Sequence, residues 1–166
     1  MSKWPPRLRL DLIFNTVEDT NMKISELVTG VRHLGVVVDD IATSVNTYKK
    51  VYDIDDGDIN IIPPLHDEAP DTRYAFLKFG GIEFELIQCI SENFKNLLGN
   101  PPVGINHVAY IVKDLEKAVA RMKENGVRLG HVTKDGILDM KRSKVAYFNV
   151  EDTDGLLVEF VEPRED

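Results

Sequence analysis

Cysteine, tryptophan, basic charge and long apolar runs are all scarce in this 166-residue chain, which has one Cys and one Trp. With Cys89 as its only thiol, the chain has no means of building an intrachain disulfide framework or a multi-thiol zinc knuckle. A reducing compartment fits that usage. Lys and Arg number 20 against 28 Asp and Glu, a formal charge of −8. Nucleic acid is therefore excluded as the expected partner, because a phosphate-binding surface needs clustered cations. No stretch approaches the roughly 20 apolar residues that a spanning helix needs. Arg7, Arg9 and Asp11 interrupt the apolar run a secretory leader would require. No membrane partner and a cytoplasmic location are the expectations.

What remains is an ordinary globular composition, 43% hydrophobic and 29% charged, long enough to bury a core without staples. Residues 1–30 stand apart as an N-terminal extension, with a Pro-Pro turn, an apolar stretch from Leu8 to Phe14 and a polar run from Asn15 to Met22. From Val31 the pattern becomes regular. A β-branched run reaches Val38, and Asp39 or Asp40 then offers an N-cap for a helix with Ile41, Val45, Tyr48 and Val51 on one face. Strands are expected at 58–62, 72–79 and 82–90, the last two joined by Gly80-Gly81, followed by a short helix at 91–98.

After Gly99-Asn-Pro-Pro102 the order recurs: a strand at 105–112, a helix capped by Asp114 with Leu115, Ala118, Val119 and Met122 inward and Asn125-Gly126 ending it, then strands at 127–132, 144–150 and 156–161. This predicts an α+β fold of two tandem βαβββ modules, residues 31–100 with a linker and residues 101–166.

The recurrence carries chemistry with it. His33 and Glu85 are 52 positions apart (85 − 33), as are His107 and Glu159 (159 − 107), and a shift of 74 maps one pair onto the other. Context moves too: His33-Leu-Gly-Val-Val-Val-Asp-Asp40 matches His107-Val-Ala-Tyr-Ile-Val-Lys-Asp114. Both glutamates lie inside apolar strands, where an unpaired carboxylate costs several kcal/mol. Two imidazoles and two carboxylates form a mixed set that suits one divalent ion among Co, Ni, Mn, Zn and Fe, with coordination positions left for substrate. His66 and His131 read as surface loop residues, Cys89 as a small core thiol, and Lys141-Arg142-Ser143-Lys144 as a solvated loop.

Two modules with His on the first strand and Glu on the last resemble the vicinal oxygen chelate superfamily of glyoxalases, epimerases, extradiol dioxygenases and bleomycin-resistance proteins. The resemblance implies a curved mixed sheet around a metal held by His33, Glu85, His107 and Glu159, and a homodimer to which Trp4, Leu8, Leu10 and Ile13 would add apolar surface. Phe84-Glu-Leu-Ile-Gln88, Ile105-Asn-His-Val-Ala-Tyr110, Asn125-Gly-Val-Arg-Leu129 and Gly155-Leu-Leu-Val-Glu-Phe-Val-Glu-Pro163 are similar to motifs of methylmalonyl-CoA epimerase.

That likeness implies a metal-dependent epimerase moving a proton next to a carbonyl, with Glu159 and Glu68 as its two bases and an acyl-CoA substrate. In place of the epimerases' glycine-rich turn the chain has Gly136-Ile-Leu-Asp-Met-Lys-Arg-Ser143, where Lys141, Arg142 and Lys144 would meet CoA phosphates. Two alternatives share the superfamily. One is a glyoxalase-I-like lactoylglutathione lyase using the same ligands on a glutathione hemithioacetal. The other is a non-catalytic, resistance-type binder of small molecules, disfavoured because such members typically lack the full ligand set.

Overall fold

A computed structural model describes residues 22–164. Trp4, Leu8, Leu10 and Ile13 lie outside the described residues. In chain order the elements are α1 (Ile24–Leu27), β1 (Val28–Val38), α2 (Ile41–Tyr52), β2 (Ile59–Ile62), β3 (Thr72–Phe79), β4 (Ile82–Cys89), α3 (Glu92–Leu97), β5 (Gly104–Val112), α4 (Leu115–Glu124), β6 (Leu138–Asp139), β7 (Ser143–Tyr147) and β8 (Leu157–Pro163). The strands form one mixed sheet in the order β2-β3-β4-β1-β5-β8-β7-β6. The α+β class and the curved sheet are those the sequence predicts.

Both long helices start at the predicted caps. Asp40 accepts from the Thr43 amide at 2.8 Å and Asp114 from the Lys117 amide at 2.9 Å, satisfying first-turn donors that would otherwise lack partners. Gly126 follows α4 in the left-handed region (φ 84°), where glycine carries no Cβ penalty. Helix α2 covers a cluster of Val36, Val38, Ile41, Val45, Ala75, Leu77 and Leu86. Helix α4 covers Val112, Leu115, Ala118, Val119, Ala146, Phe148 and Phe160. Leu27, just ahead of β1, is buried in this second cluster, so the start of the described chain packs against the far half.

Because side chains alternate along a strand, burying Val36, Val38 and Leu86 under α2 turns His33, Gly35, Glu83 and Glu85 to the opposite, concave face. The central pair β1–β5 is antiparallel and sets His33 against Ala109 and Gly35 against His107. Each half repeats one parallel register: Gly35 pairs with Glu85, and Ala109 with Glu159. The shift of 74 read in the sequence is thus a shift in strand pairing, and it brings both His-Glu pairs to one place.

One predicted strand does not form. Residues 127–132 make a single bridge, Leu129 with Phe148, and then a 3₁₀ turn over His131–Thr133. A Cβ at Gly130 would lie 2.7 Å from Asn149 Cα, a backbone-to-backbone approach that interrupts any ladder there. The edge position is taken by the two-residue β6. Val51, predicted to face inward, is 61% exposed at the end of α2.

Candidate metal centre

The four expected ligands converge on the concave face. His33 Nε2 and His107 Nε2 lie 3.0 Å apart. Glu85 Oε2 is 3.3 Å from each. Glu159 Oε2 is 3.2 Å from His33 and 3.4 Å from His107. His33, His107 and Glu159 are buried, and their ligand atoms all fall within 4.8 Å of one another. Glu85 adds its oxygen from a slightly more open position, with 15% of its side chain exposed.

These residues fit a divalent ion on three counts. Glu159 Oε2 is buried and has no hydrogen-bond partner, an expensive state for a carboxylate oxygen without a cation. The donor set is imidazole nitrogen with carboxylate oxygen, which suits transition-metal ions. Ligands at bond lengths of about 2.1 Å would stand roughly 3.0 to 3.4 Å apart, depending on geometry, which matches the spacings found. The cluster can hold one such ion.

Neighbours fix the cluster's orientation. Asn106 Oδ1 lies 2.9 Å from His107 Nδ1, so that nitrogen donates and the Nε2 lone pair is left to face the cluster. Gly35 makes room for the same ring, since a Cβ there would sit 2.0 Å from His107 Cε1. Burial lowers the basicity of His33, but close contact with Glu159 and the charges of Glu85 and Glu83 outweigh it and leave the pKa raised. Burial beside Glu159 and Glu85 holds the Tyr147 hydroxyl far above its ordinary pKa, hence protonated. Tyr74 is pushed up to about 12, chiefly by burial.

A small cavity opens beside the cluster, walled by Tyr74, Phe94, Leu98, His131 and Tyr147 over Glu85 and His107. The structure places three further sequence candidates around this site. Glu68 sits exposed on the loop between β2 and β3 and does not line this cavity. His131, expected as a surface loop residue, is half-buried in the cavity wall with its ring against Tyr147 at 5.2 Å. It stands in no repeat match, so the pattern that picked out the cluster residues was silent about it. In the basic run Lys141 and Arg142 are exposed, as a solvated loop would be, with Arg142 lining a separate trough with Arg32, Lys78 and Glu83, while Lys144 binds Glu116 at 3.1 Å. His66 is exposed as expected, and Cys89 is a half-buried free thiol whose pKa burial raises. Among the described residues no helix is long and apolar enough to cross a membrane.

Comparison with solved structures finds methylmalonyl-CoA epimerase from Mycobacterium tuberculosis at 25% identity and TM-score 0.65, covering 88% of this chain and 95% of that one. A hypothetical protein from Bacillus halodurans C-125 matches at 25% identity and TM-score 0.64, over 82% and 95% of the two chains. A Streptomyces coelicolor methylmalonyl-CoA epimerase in complex with 2-nitronate-propionyl-CoA shares the fold at 21% identity and TM-score 0.62, over 82% and 95%. No curated protein matches the chain. The family model that matches residues 32–147 spans both halves of the sheet and all but the last strand, which carries Glu159; by that match the chain belongs to the Glyoxalase/Bleomycin resistance protein/Dioxygenase superfamily.

Proposed function

We propose that the protein is a metal-dependent isomerase that moves a proton alpha to a carbonyl, acting as an epimerase on an acyl-CoA thioester. The observation that carries this reading is the buried Glu159 Oε2, which accepts no hydrogen bond, in a cluster with His33, His107 and Glu85. The likeness to methylmalonyl-CoA epimerases supports the choice of reaction. A divalent ion held by these four residues would supply Lewis-acid polarisation of the substrate carbonyl.

The chain's own residues do the rest. Glu159 offers a carboxylate oxygen beside the carbonyl site for proton removal. Tyr147, protonated and beside Glu159, offers a hydroxyl donor in the same wall. Glu68 is the second carboxylate in this reading, and from its exposed loop it serves only if residues 63–71 fold toward the cavity. The trough with Arg32, Lys78 and Arg142 suits an anionic part of the substrate. A homodimer belongs to the same proposal, and a monomer mass in light scattering at micromolar concentration would remove it.

The test is metal analysis of protein purified without chelator, followed by deuterium incorporation from solvent into methylmalonyl-CoA with and without metal. Metal-dependent exchange is expected. Glu68→Gln should keep the metal and slow exchange strongly, and exchange at full rate would take Glu68 out of the mechanism. One observation favours a second reading: both carboxylates belong to the cluster while Glu68 is exposed and does not line the cavity, the arrangement of a lyase that uses ligand carboxylates as its bases. Turnover of a glutathione hemithioacetal without acyl-CoA exchange would select that lyase.

A further inference from the structure

His131 has an unusual setting for a residue outside the cluster. Its backbone lies in the left-handed region (φ 50°), which non-glycine residues occupy at a cost that the surroundings must over-determine. Those surroundings are visible. The Gly130 amide donates to Tyr147 O at 2.9 Å, and the buried Thr133 hydroxyl contacts Gly130 O and Tyr147 O, each at 3.0 Å, while accepting from the Tyr147 amide at 2.7 Å. The turn is clamped to β7 on both sides of His131. The ring so positioned rests on Tyr147, and its two nitrogens make no hydrogen bond among the described residues.

What the ring faces is a junction. The cavity beside the cluster and a longer surface groove share Leu98, Asn106 and His131 in their walls. The groove continues past Pro101, Ile105 and Val150, and no Lys, Arg, Asp or Glu lines it. An imidazole offers ring nitrogens that can donate and accept hydrogen bonds. A clamped, strained, unpartnered imidazole at the mouth of a metal pocket points to a ligand contact rather than to packing.

We propose that His131 contacts the substrate, hydrogen-bonding its uncharged, amide- or ester-bearing arm where that arm leaves the metal pocket for the groove. The inference rests on the carbonyl-substrate reading above and adds the residue and the chemical class of the arm.

The experiment uses the full chain loaded with zinc, ¹⁵N-labelled at histidine, and titrated with S-acetylpantetheine, an uncharged thioester with two amides. The His131 ring signals, identified by their loss in His131→Gln, are expected to shift with saturation. His131→Leu should weaken the probe at least fivefold with zinc content unchanged, and His131→Gln should recover most of the affinity. Absence of a shift at saturating probe, or equal affinity in His131→Leu, overturns the proposal. If His131→Leu loses zinc, the ring shift in the wild type and the affinity of His131→Gln decide alone. Exchange of the probe's α-protons in D₂O reports the reaction separately. A His131 shift without exchange would remove the isomerase reading and keep the contact, and exchange without a shift would do the reverse.

Discussion

The halves β1–β4 and β5–β8 share a plan and differ at the residues around it. Both pair their first and last strands in parallel with the same register, and each contributes one His and one Glu to the cluster. At equivalent positions, 74 apart, the first half has Gly35 and the second Ala109, the first Arg32 and the second Asn106, the first Glu83 and the second Leu157. Glu83 is a buried carboxylate with Arg32 at 3.8 Å, so the first half borders the cluster with charge. Leu157 is an apolar wall. The duplicated plan places the four cluster residues, and the unmatched residues orient His107 and shape what approaches it.

The sharpest way to break that symmetry is at Gly35. A methyl group there would lie 2.0 to 2.6 Å from three atoms of the His107 ring, too close for any small shift. Gly35→Ala should cut metal affinity by more than about a hundredfold in calorimetry, beyond the usual range for residues that only support ligands. Ala109→Gly, the equivalent site opposite His33, only removes a methyl and should leave binding within a fewfold. Wild-type affinity in Gly35→Ala would show that His107 does not need this cradle.

Next come the two carboxylates. Glu159 is the more deeply buried, and its Oε2 has no other partner, whereas Glu85 keeps some contact with water. Glu159→Gln should therefore abolish stoichiometric binding, and Glu85→Gln should weaken it by a smaller factor. Equal loss in both would mean that the halves hold the ion alike.

A smaller effect is expected at the position beside each histidine. Asn106→Ala removes the acceptor that fixes the His107 tautomer and should lower metal affinity about 10- to 100-fold. Arg32→Ala removes the partner of Glu83 and no ligand's hydrogen bond, so metal titration should follow the wild type. Loss of affinity in Arg32→Ala would tie the Glu83 pair to the metal site.

The cluster of His33, Glu85, His107 and Glu159 was legible because four residues obeyed one shift, and a repeat doubles the weight of each residue in it. The first-half strands were legible for a similar reason: alternation from Thr72 to Phe79 and the Gly80-Gly81 turn have no competing reading. Residues 127–132 showed the same apolar texture, yet Gly130 is a point of backbone contact, and a contact of that kind leaves no trace in local pattern. The half-buried setting of His131, read as a surface loop residue, was lost with it. Gly35 was readable only as the glycine opposite a repeat alanine, its steric meaning depending on a ring 72 residues away (107 − 35). Glu68 came from likeness to a family motif, with no geometry behind it.

The smallest predicted difference between the halves is their response to acid. Where the first half seats Ile54 in its apolar cluster, the second has Arg128 in the equivalent position, bonded to Asp152 at 2.8 Å and to Glu151 at 3.0 Å. The side-chain hydrogen bond from Arg128, joined by its backbone amide at 2.9 Å, holds the Asp152 carboxyl down to about 2. A carboxyl depressed in the folded state contributes stability that is fully present above its unfolded pKa of roughly 3.9 and disappears as pH falls through the folded value. The window is therefore about pH 4 down to pH 2, and the contribution is small because Arg128 is largely exposed and solvent screens the pair. A ¹³C titration of the Asp152 carboxyl should give a midpoint near 2, and Arg128→Ala should return it to the ordinary range with little change in melting temperature at pH 7. As pH falls through the same window, amide exchange should loosen at Arg128, whose N–H Asp152 accepts, before it loosens at Ile54, whose N–H goes to Lys49 O at 3.3 Å. An ordinary midpoint for Asp152, or equal loosening of the two, would show that the ion pair adds nothing that the apolar contact of the first half lacks.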